Sequence, residues 1–568
     1  MDDLVIRGGT VADGTGTPPR TADVAITAGR ITAVGDNLPR GRRELGADGL
    51  LVSPGWVDVH THYDGHALWD PLLSPSSGHG VTTVVTGNCG VGIAPLRPAD
   101  RDWTVALMEG VEDIPGDVLR RGLPWNWETF GQYLDAVDGI DRAVDVATQV
   151  PHSAVRVFVM GERGIDHEAA PTPEEIGRMG EVVVDALTAG ALGFSTSRSA
   201  NHKASDGRLT PTLTAGEPEL LGIAAAVGRL GTGVFEAVFD DADIAAEFTL
   251  LRRICRTSGR PMSVTTLQRP GQNPSSYREI LRELERANAD GLTMRGQVAP
   301  RPVGLLISLG GRVNPLLPSA TYRALRPGDG ADLPTLLRNT ETRRRILAEL
   351  DDAGTDVIAR FPHAYALQDP PRWSDGPGPA ITRLAADQGV SRLAAAYDVL
   401  ASGRMVYVPV ANYVDEDLAA VREMLVHPFT VPGLGDGGAH TTMIADFDFP
   451  TFQLAYWGRD VAEPDRLAPE WIVKRQCADT AALVGLHDRG ILAPGMKADV
   501  NLIDLPRLNA TAPRITADLP GGGSRLVNDA TGYVATVVAG EVTFENGRHT
   551  GALPGALVRG ARRPEERA

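Results

Sequence analysis

Pro54-Gly55-Trp56-Val57-Asp58-Val59-His60-Thr61-His62-Tyr63-Asp64 alternates apolar Val57 and Val59 with Asp58, then presents two histidines separated by one residue. In an extended chain alternate side chains share a face, so this spacing predicts that His60 and His62 point the same way. Two imidazoles at the C-terminal end of a strand can chelate one divalent ion at ~2.0–2.1 Å. In a parallel barrel the chemistry gathers at that end of the strands. An isolated His-x-His is more often a pair of satisfied surface residues, so the flanking sequence has to decide.

Outward from this strand the chain alternates short apolar runs with longer segments of helical period. Val81–Val85, Ala154–Val159, Leu192–Thr196 and Met405–Val408 read as strands, and Glu174–Leu187 and Glu247–Thr257 as helices. Strands alternating with helices imply parallel βαβ units, either a barrel or an open sheet. From about 297 to 372 the rhythm loosens and Pro becomes frequent, which predicts an insertion. Both ends of the chain have a different texture. Leu4–Arg7, Asp23–Ile26 and Ile31–Val34 at one end, and Ala498–Asp504 and Val534–Phe544 at the other, are strand runs bounded by turn residues. Neither end carries enough strands to bury a face alone. The expected organisation is therefore a composite β-sandwich from residues 1–56 and 486–557, a central unit over 57–485, and a disordered tail at 558–568.

Composition narrows the function classes. The 568 residues carry 55 Lys and Arg against 72 Asp and Glu, a net charge of −17, with no basic cluster. Nucleic acid and anionic membranes both need a positive face, so neither is an expected partner. Cys89, Cys255 and Cys477 are too few and too far apart to form a disulfide framework. The acidic N-terminus does not read as a signal peptide, and no run of ~18 apolar residues occurs. A cytoplasmic protein is expected, and homo-oligomerisation stays open.

The segment around His60 resembles the metal-binding first strand of the amidohydrolase superfamily, and four other segments agree. Ile6-Arg7-Gly8-Gly9-Thr10-Val11 and Gly490–Asp499 are similar to that superfamily's paired β-sandwich halves. Gly80–Gly90, ending Gly87-Asn88-Cys89-Gly90, resembles the second-strand motif of the D-aminoacylases, the N-acyl-D-amino-acid deacylases. Gly435-Asp436-Gly437-Gly438-Ala439-His440 resembles the last-strand segment with the catalytic aspartate. The resemblance covers most of residues 1–557. It implies an α/β fold, a (β/α)8 TIM barrel carrying the small β-sandwich. It also implies a divalent metal, expected to be zinc, with His60, His62, Cys89 and Asp436 as ligands; the count of about one ion per chain follows instead from two histidines that this chain lacks. Asp436 would act as general base and then acid in hydrolysis of an amide by metal-activated water.

The sequence also departs from that pattern. D-aminoacylases carry two further histidine ligands on the fifth and sixth strands, and this chain has no histidine between His202 and His363. Val238 and Thr266 stand at the aligned positions. Glu236, Asp240, His202 and Lys203 are candidate replacement donors. Arg163 and Arg198, in loops after strand-like runs, are candidate partners for a substrate carboxylate, each with an ordinary salt bridge as the blander reading. His202 and His440 complete the candidate substrate-binding set. The expected substrate is a small carboxylate-bearing amide, an N-acyl amino acid, with a cyclic amide or imide of the hydantoinase type as the alternative. A third reading is a barrel that has lost catalysis and only binds a small molecule.

Overall fold

The computed structural model describes residues 1–568 except 272, 326–331, 353–357, 359–360, 362, 373–375 and 564–568. Eight strands form one sheet: β1 (Trp56–Asp58), β2 (Val81–Thr86), β3 (Asp145–Pro151), β4 (Gly193–Arg198), β5 (Val234–Phe239), β6 (Met262–Thr266), β7 (Met294–Val298) and β8 (Thr430–Pro432). Neighbours follow chain order and every pairing is parallel. Every residue of β1, β2, β3, β5 and β6 is buried. That explains their continuous apolar runs, because helices cover the outer face of such a sheet.

The outer helices Pro173–Ala189, Glu217–Leu230, Ile244–Ser258 and Ser276–Ala289 follow β3, β4, β5 and β6. The first starts where Thr172 and Glu175 form a reciprocal capping box and stops at Gly190. Between β8 and β1 the ring closes just beyond the strand ends. The Asp436 N–H donates to the His60 carbonyl (3.1 Å) and the His62 N–H to the Gly437 carbonyl (2.7 Å). The fold is a TIM-like barrel whose closing seam runs through the two sequence motifs.

Three expectations need correction. Ala154–Val159 is not a strand but lies within the helix His152–Met160; the strand is the preceding Asp145–Pro151. Pro151 ends that strand and caps the helix, which packs against both β4 and the helix Pro173–Ala189. A helix buried on two sides loses its polar stripe, and a short apolar run then reads equally well as a strand. Met405–Val408 does not belong to the barrel. Between β7 and β8 the chain makes a long excursion with its own antiparallel sheet of Val303–Ile307, Val406–Ala411 and Tyr365–Ala366. Ile307, Tyr322, Ile346, Leu350, Tyr397 and Val408 share a core separate from that of the barrel. Finally, residues 558–563 are not loose: Val558, Gly560 and Arg562 donate backbone hydrogen bonds to Val146, Gly190 and Gly485. The rest of the expected tail, 564–568, lies outside the described residues.

Strands from both chain ends share one nine-stranded sheet. Its junction is Leu51–Pro54 against Val500–Ile503, antiparallel. Leu4, Ile6, Val24 and Val52 pack in one apolar cluster with Val500, Leu502, Ala535 and Val537.

Candidate metal centre

His60 and His62 follow β1, Cys89 follows β2 and Asp436 follows β8, all at the C-terminal end of the barrel. Among the described residues, ligand atoms of His60, His62 and Cys89 lie within 4.8 Å of one another. His60 Nε2 is 3.2 Å from Cys89 Sγ and 3.5 Å from Asp436 Oδ1. His62 Nε2 is 3.7 Å from the same Asp436 oxygen. These groups line a cavity of about 150 Å³ together with Glu112, His202, Arg269 and His440.

The backbone is strained where it delivers these groups. Cys89, Asp436 and His440 have φ of 57°, 48° and 49°, a region that costs a residue with a side chain about 1–3 kcal/mol and that clusters at functional sites. At Gly90, next to Cys89, a Cβ would sit 2.6 Å from the Ser197 nitrogen, so the loop after β2 lies too close to β4 there for any side chain.

Two supports fix the imidazoles. Gln297 on β7 donates through Nε2 to Ser263 Oγ (2.8 Å), which turns its Oε1 toward His60 Nδ1 at 2.6 Å. His60 therefore carries its proton on Nδ1 and presents Nε2 to the cavity, as outer partners of metal-ligating histidines do. On the other side Glu112 Oε1 lies 3.3 Å from His62 Nδ1. The His440 N–H donates to the Glu112 carbonyl, tying that loop to the end of β8.

The electrostatics are those of a buried anionic nest. Burial pushes Glu236 up to about 8 and raises Glu112; burial and neighbouring carboxylates lift the Cys89 thiol well above its ordinary value. Burial would also raise Asp436, but the surrounding imidazoles hold it well below the usual carboxylate range. For His62, burial is outweighed by Glu112 and Asp436, which push it up to about 9. For His60 burial wins and lowers it to about 4. Buried oxygens without a hydrogen bond collect here, Glu236 Oε1 and Asp436 Oδ1, while His62 Nδ1 and Glu112 Oε1 face each other as an ion pair outside hydrogen-bond geometry. Such atoms ordinarily cost about 1–3 kcal/mol each. Carboxylate, thiol and imidazole donors converging around them fit a divalent cation, which would offset that cost and hold the thiol as thiolate.

The cavity thus gathers His60, His62, Cys89, Asp436, His202 and His440. It does not gather Arg163 or Arg198. Arg163 pairs with Glu175 at 2.7 Å, and Arg198 is clamped by Glu247 at 2.9 Å and by the Ala215 carbonyl. Both guanidiniums pair with scaffold groups and lie outside the cavity lining, as the blander reading has it. Asp240 accepts from Ser199 Oγ and the Ala200 N–H, while Glu236 Oε2 accepts from the Cys89 N–H at 2.8 Å. Lys203 does not line the cavity. Sequence reading missed Glu112, Gln297 and Arg269. Glu112 and Gln297 have no motif around them; Arg269 had one available signal, its place three residues beyond the end of β6.

Residues 43–544 match the amidohydrolase family. The chain belongs to that family, the metal-dependent hydrolases that act on C–N bonds other than peptide bonds. In sequence it is 39% identical over 195 residues to D-aminoacylase of Alcaligenes xylosoxydans xylosoxydans, covering 34% of this chain and 37% of that one. In structure it resembles a D-aminoacylase with a binuclear metal centre, described as activated by one metal and attenuated by the second. That match has a TM-score of 0.66 and 25% identity, covering 98% of this chain and 100% of the other. N-acyl-D-glutamate deacylase from Bordetella bronchiseptica, solved with zinc and a phosphonate inhibitor, gives 0.64 and 25%, covering 98% and 99%.

Proposed function

We propose that this protein hydrolyses the amide of an N-acyl-D-amino acid, using one zinc ion held by His60, His62, Cys89 and Asp436. The observation that carries the reading is the convergence of these donors on the cavity, beside buried polar atoms that make no hydrogen bond within the protein. A thiolate with imidazoles and a carboxylate favours zinc over magnesium or calcium, which prefer all-oxygen sites. One ion rather than two follows from Val238 and the β6 threonines, which offer no imidazole where the resemblance expects two.

A bound zinc ion would supply Lewis-acid polarisation of the scissile carbonyl and make water a nucleophile near neutral pH. The protein supplies the rest. Asp436 takes the proton of the attacking water and returns it to the leaving nitrogen. His440 Nε2, 3.9 Å from Asp436 Oδ2, flanks the second carboxylate oxygen. Gln297 and Glu112 keep the two imidazoles in place, and Val111, Val238 and Leu434 limit the access of bulk water.

The test is a substrate panel on zinc-reconstituted protein, with N-acetyl-D- and N-acetyl-L-amino acids beside dihydrouracil and hydantoin. Turnover confined to the D-series supports the proposal. Faster turnover of the cyclic amides would replace it with the hydantoinase-type reading.

A further inference from the structure

Arg269 lines the same cavity, in the loop after β6. Unlike Arg163 and Arg198 it donates no hydrogen bond among the described residues, and its one ion-pair contact, with Asp240, is long. Its Nη1 lies 3.7 Å from Asp240 Oδ1, beyond hydrogen-bond distance, and the Asp240 oxygens already accept from Ser199 Oγ (2.7 Å) and the Ala200 N–H (2.8 Å). A guanidinium offers five N–H donors in a planar fork that matches a carboxylate. Among the described lining residues, Arg269 alone carries a permanent positive charge. Beyond the candidate metal donors and Glu112, the wall mixes apolar Val111, Val238, Leu267, Val303 and Leu434 with Ser199, Asn201, Thr265 and the imidazoles His202 and His440, and among the described residues it holds no second arginine or lysine. Val238 contributes to that wall at a position where the resemblance expects a histidine.

We infer that Arg269 receives the substrate's carboxylate, and that the cavity selects N-acylated neutral amino acids over N-acyl glutamate or aspartate. The inference rests on the deacylase reading above. One fixed cation satisfies one carboxylate. A second carboxylate would lose water in a lining that offers it no second fixed cation, which is unfavourable.

The test compares zinc-loaded wild type, Arg269→Met and Arg269→Lys on N-acetyl-D-leucine, N-acetyl-D-leucinamide and N-acetyl-D-glutamate. Wild type should prefer the leucine substrate to the glutamate substrate by at least about tenfold in kcat/KM. In Arg269→Met, KM for N-acetyl-D-leucine should rise about 10- to 100-fold, the worth of hydrogen bonds to a charged group, with kcat little changed. The leucinamide, which lacks the carboxylate, should be almost indifferent to the substitution, and Arg269→Lys should recover part of the loss. Equal losses on leucine and leucinamide, an unchanged KM, or a preference for glutamate would overturn the inference. Calorimetric binding of N-acetyl-D-leucine to wild type and Arg269→Met decides the same question without turnover. An inactive wild type that still binds the acid at least about tenfold more tightly than Arg269→Met contradicts the deacylase reading alone; equal binding contradicts the role of Arg269.

Discussion

Asp436 presents one carboxylate oxygen to His60 and His62 and the other to His440. Asparagine keeps its shape and one ligating oxygen but cannot accept a proton near neutral pH. Asp436→Asn should therefore retain fold and zinc while kcat falls by about 10²–10⁴-fold, measured beside metal content on the same preparation. A normal kcat would remove the proton-transfer role. Gln297 makes a different prediction because it touches His60 and not the cavity centre. Gln297→Leu should weaken zinc binding by about 10- to 100-fold in a chelator competition. Gln297→Glu, which restores an acceptor, should recover much of that loss; equal affinity in all three proteins would show that the contact orients nothing.

The elements bring these residues together at the seam where β8 meets β1. Gly438 has φ +93°, and a Cβ there would lie 2.7 Å from the His62 carbonyl oxygen. Gly438→Ala should cost about 1–3 kcal/mol in thermal or denaturant unfolding and lower activity by displacing His62. Stability and activity both unchanged would mean that the seam yields more easily than its geometry implies. The same seam shows what sequence can convey. The His-x-His strand end, Gly-Asn-Cys-Gly and Asp-Gly-Gly are local patterns, each contained in a few consecutive residues, and with the strand–helix alternation they made the barrel legible. Glu112 and Gln297 depend on packing across the barrel, as His60 and Gln297 are 237 residues apart. The fate of Arg198 was hidden for the same reason, since its clamp Glu247 is 49 residues away. A carboxylate or guanidinium looks alike in sequence whether it faces a substrate or a scaffold partner.

At the scale of the whole molecule, the N-terminal end of β3 is tied to the segment that leads into the nine-stranded sheet. Buried Asp145 lies 2.6 Å from Arg489 and 3.1 Å from Lys497. Burial would raise its pKa, but Lys497 and Arg489 prevail and lower it. A lowered folded-state pKa contributes stability above the unfolded value, and that stability is lost as pH falls toward the folded one. Acid unfolding should therefore steepen below about pH 4. Asp145→Asn should destabilise the protein by about 1.5–3 kcal/mol near neutral pH, because Arg489 and Lys497 each lose one carboxylate and keep only Asp488 and Asp499, and should flatten that acid limb. An unaltered pH profile of Tm would contradict this linkage. The central claim, that one ion in this barrel suffices for amide hydrolysis, is tested most directly by adding zinc to metal-stripped protein while following N-acetyl-D-leucine hydrolysis. Activity should rise linearly to about one equivalent per chain and then level or decline, since the nameable donors complete one four-coordinate site. Activity that climbs to two equivalents, or no turnover at any zinc level, would contradict the account.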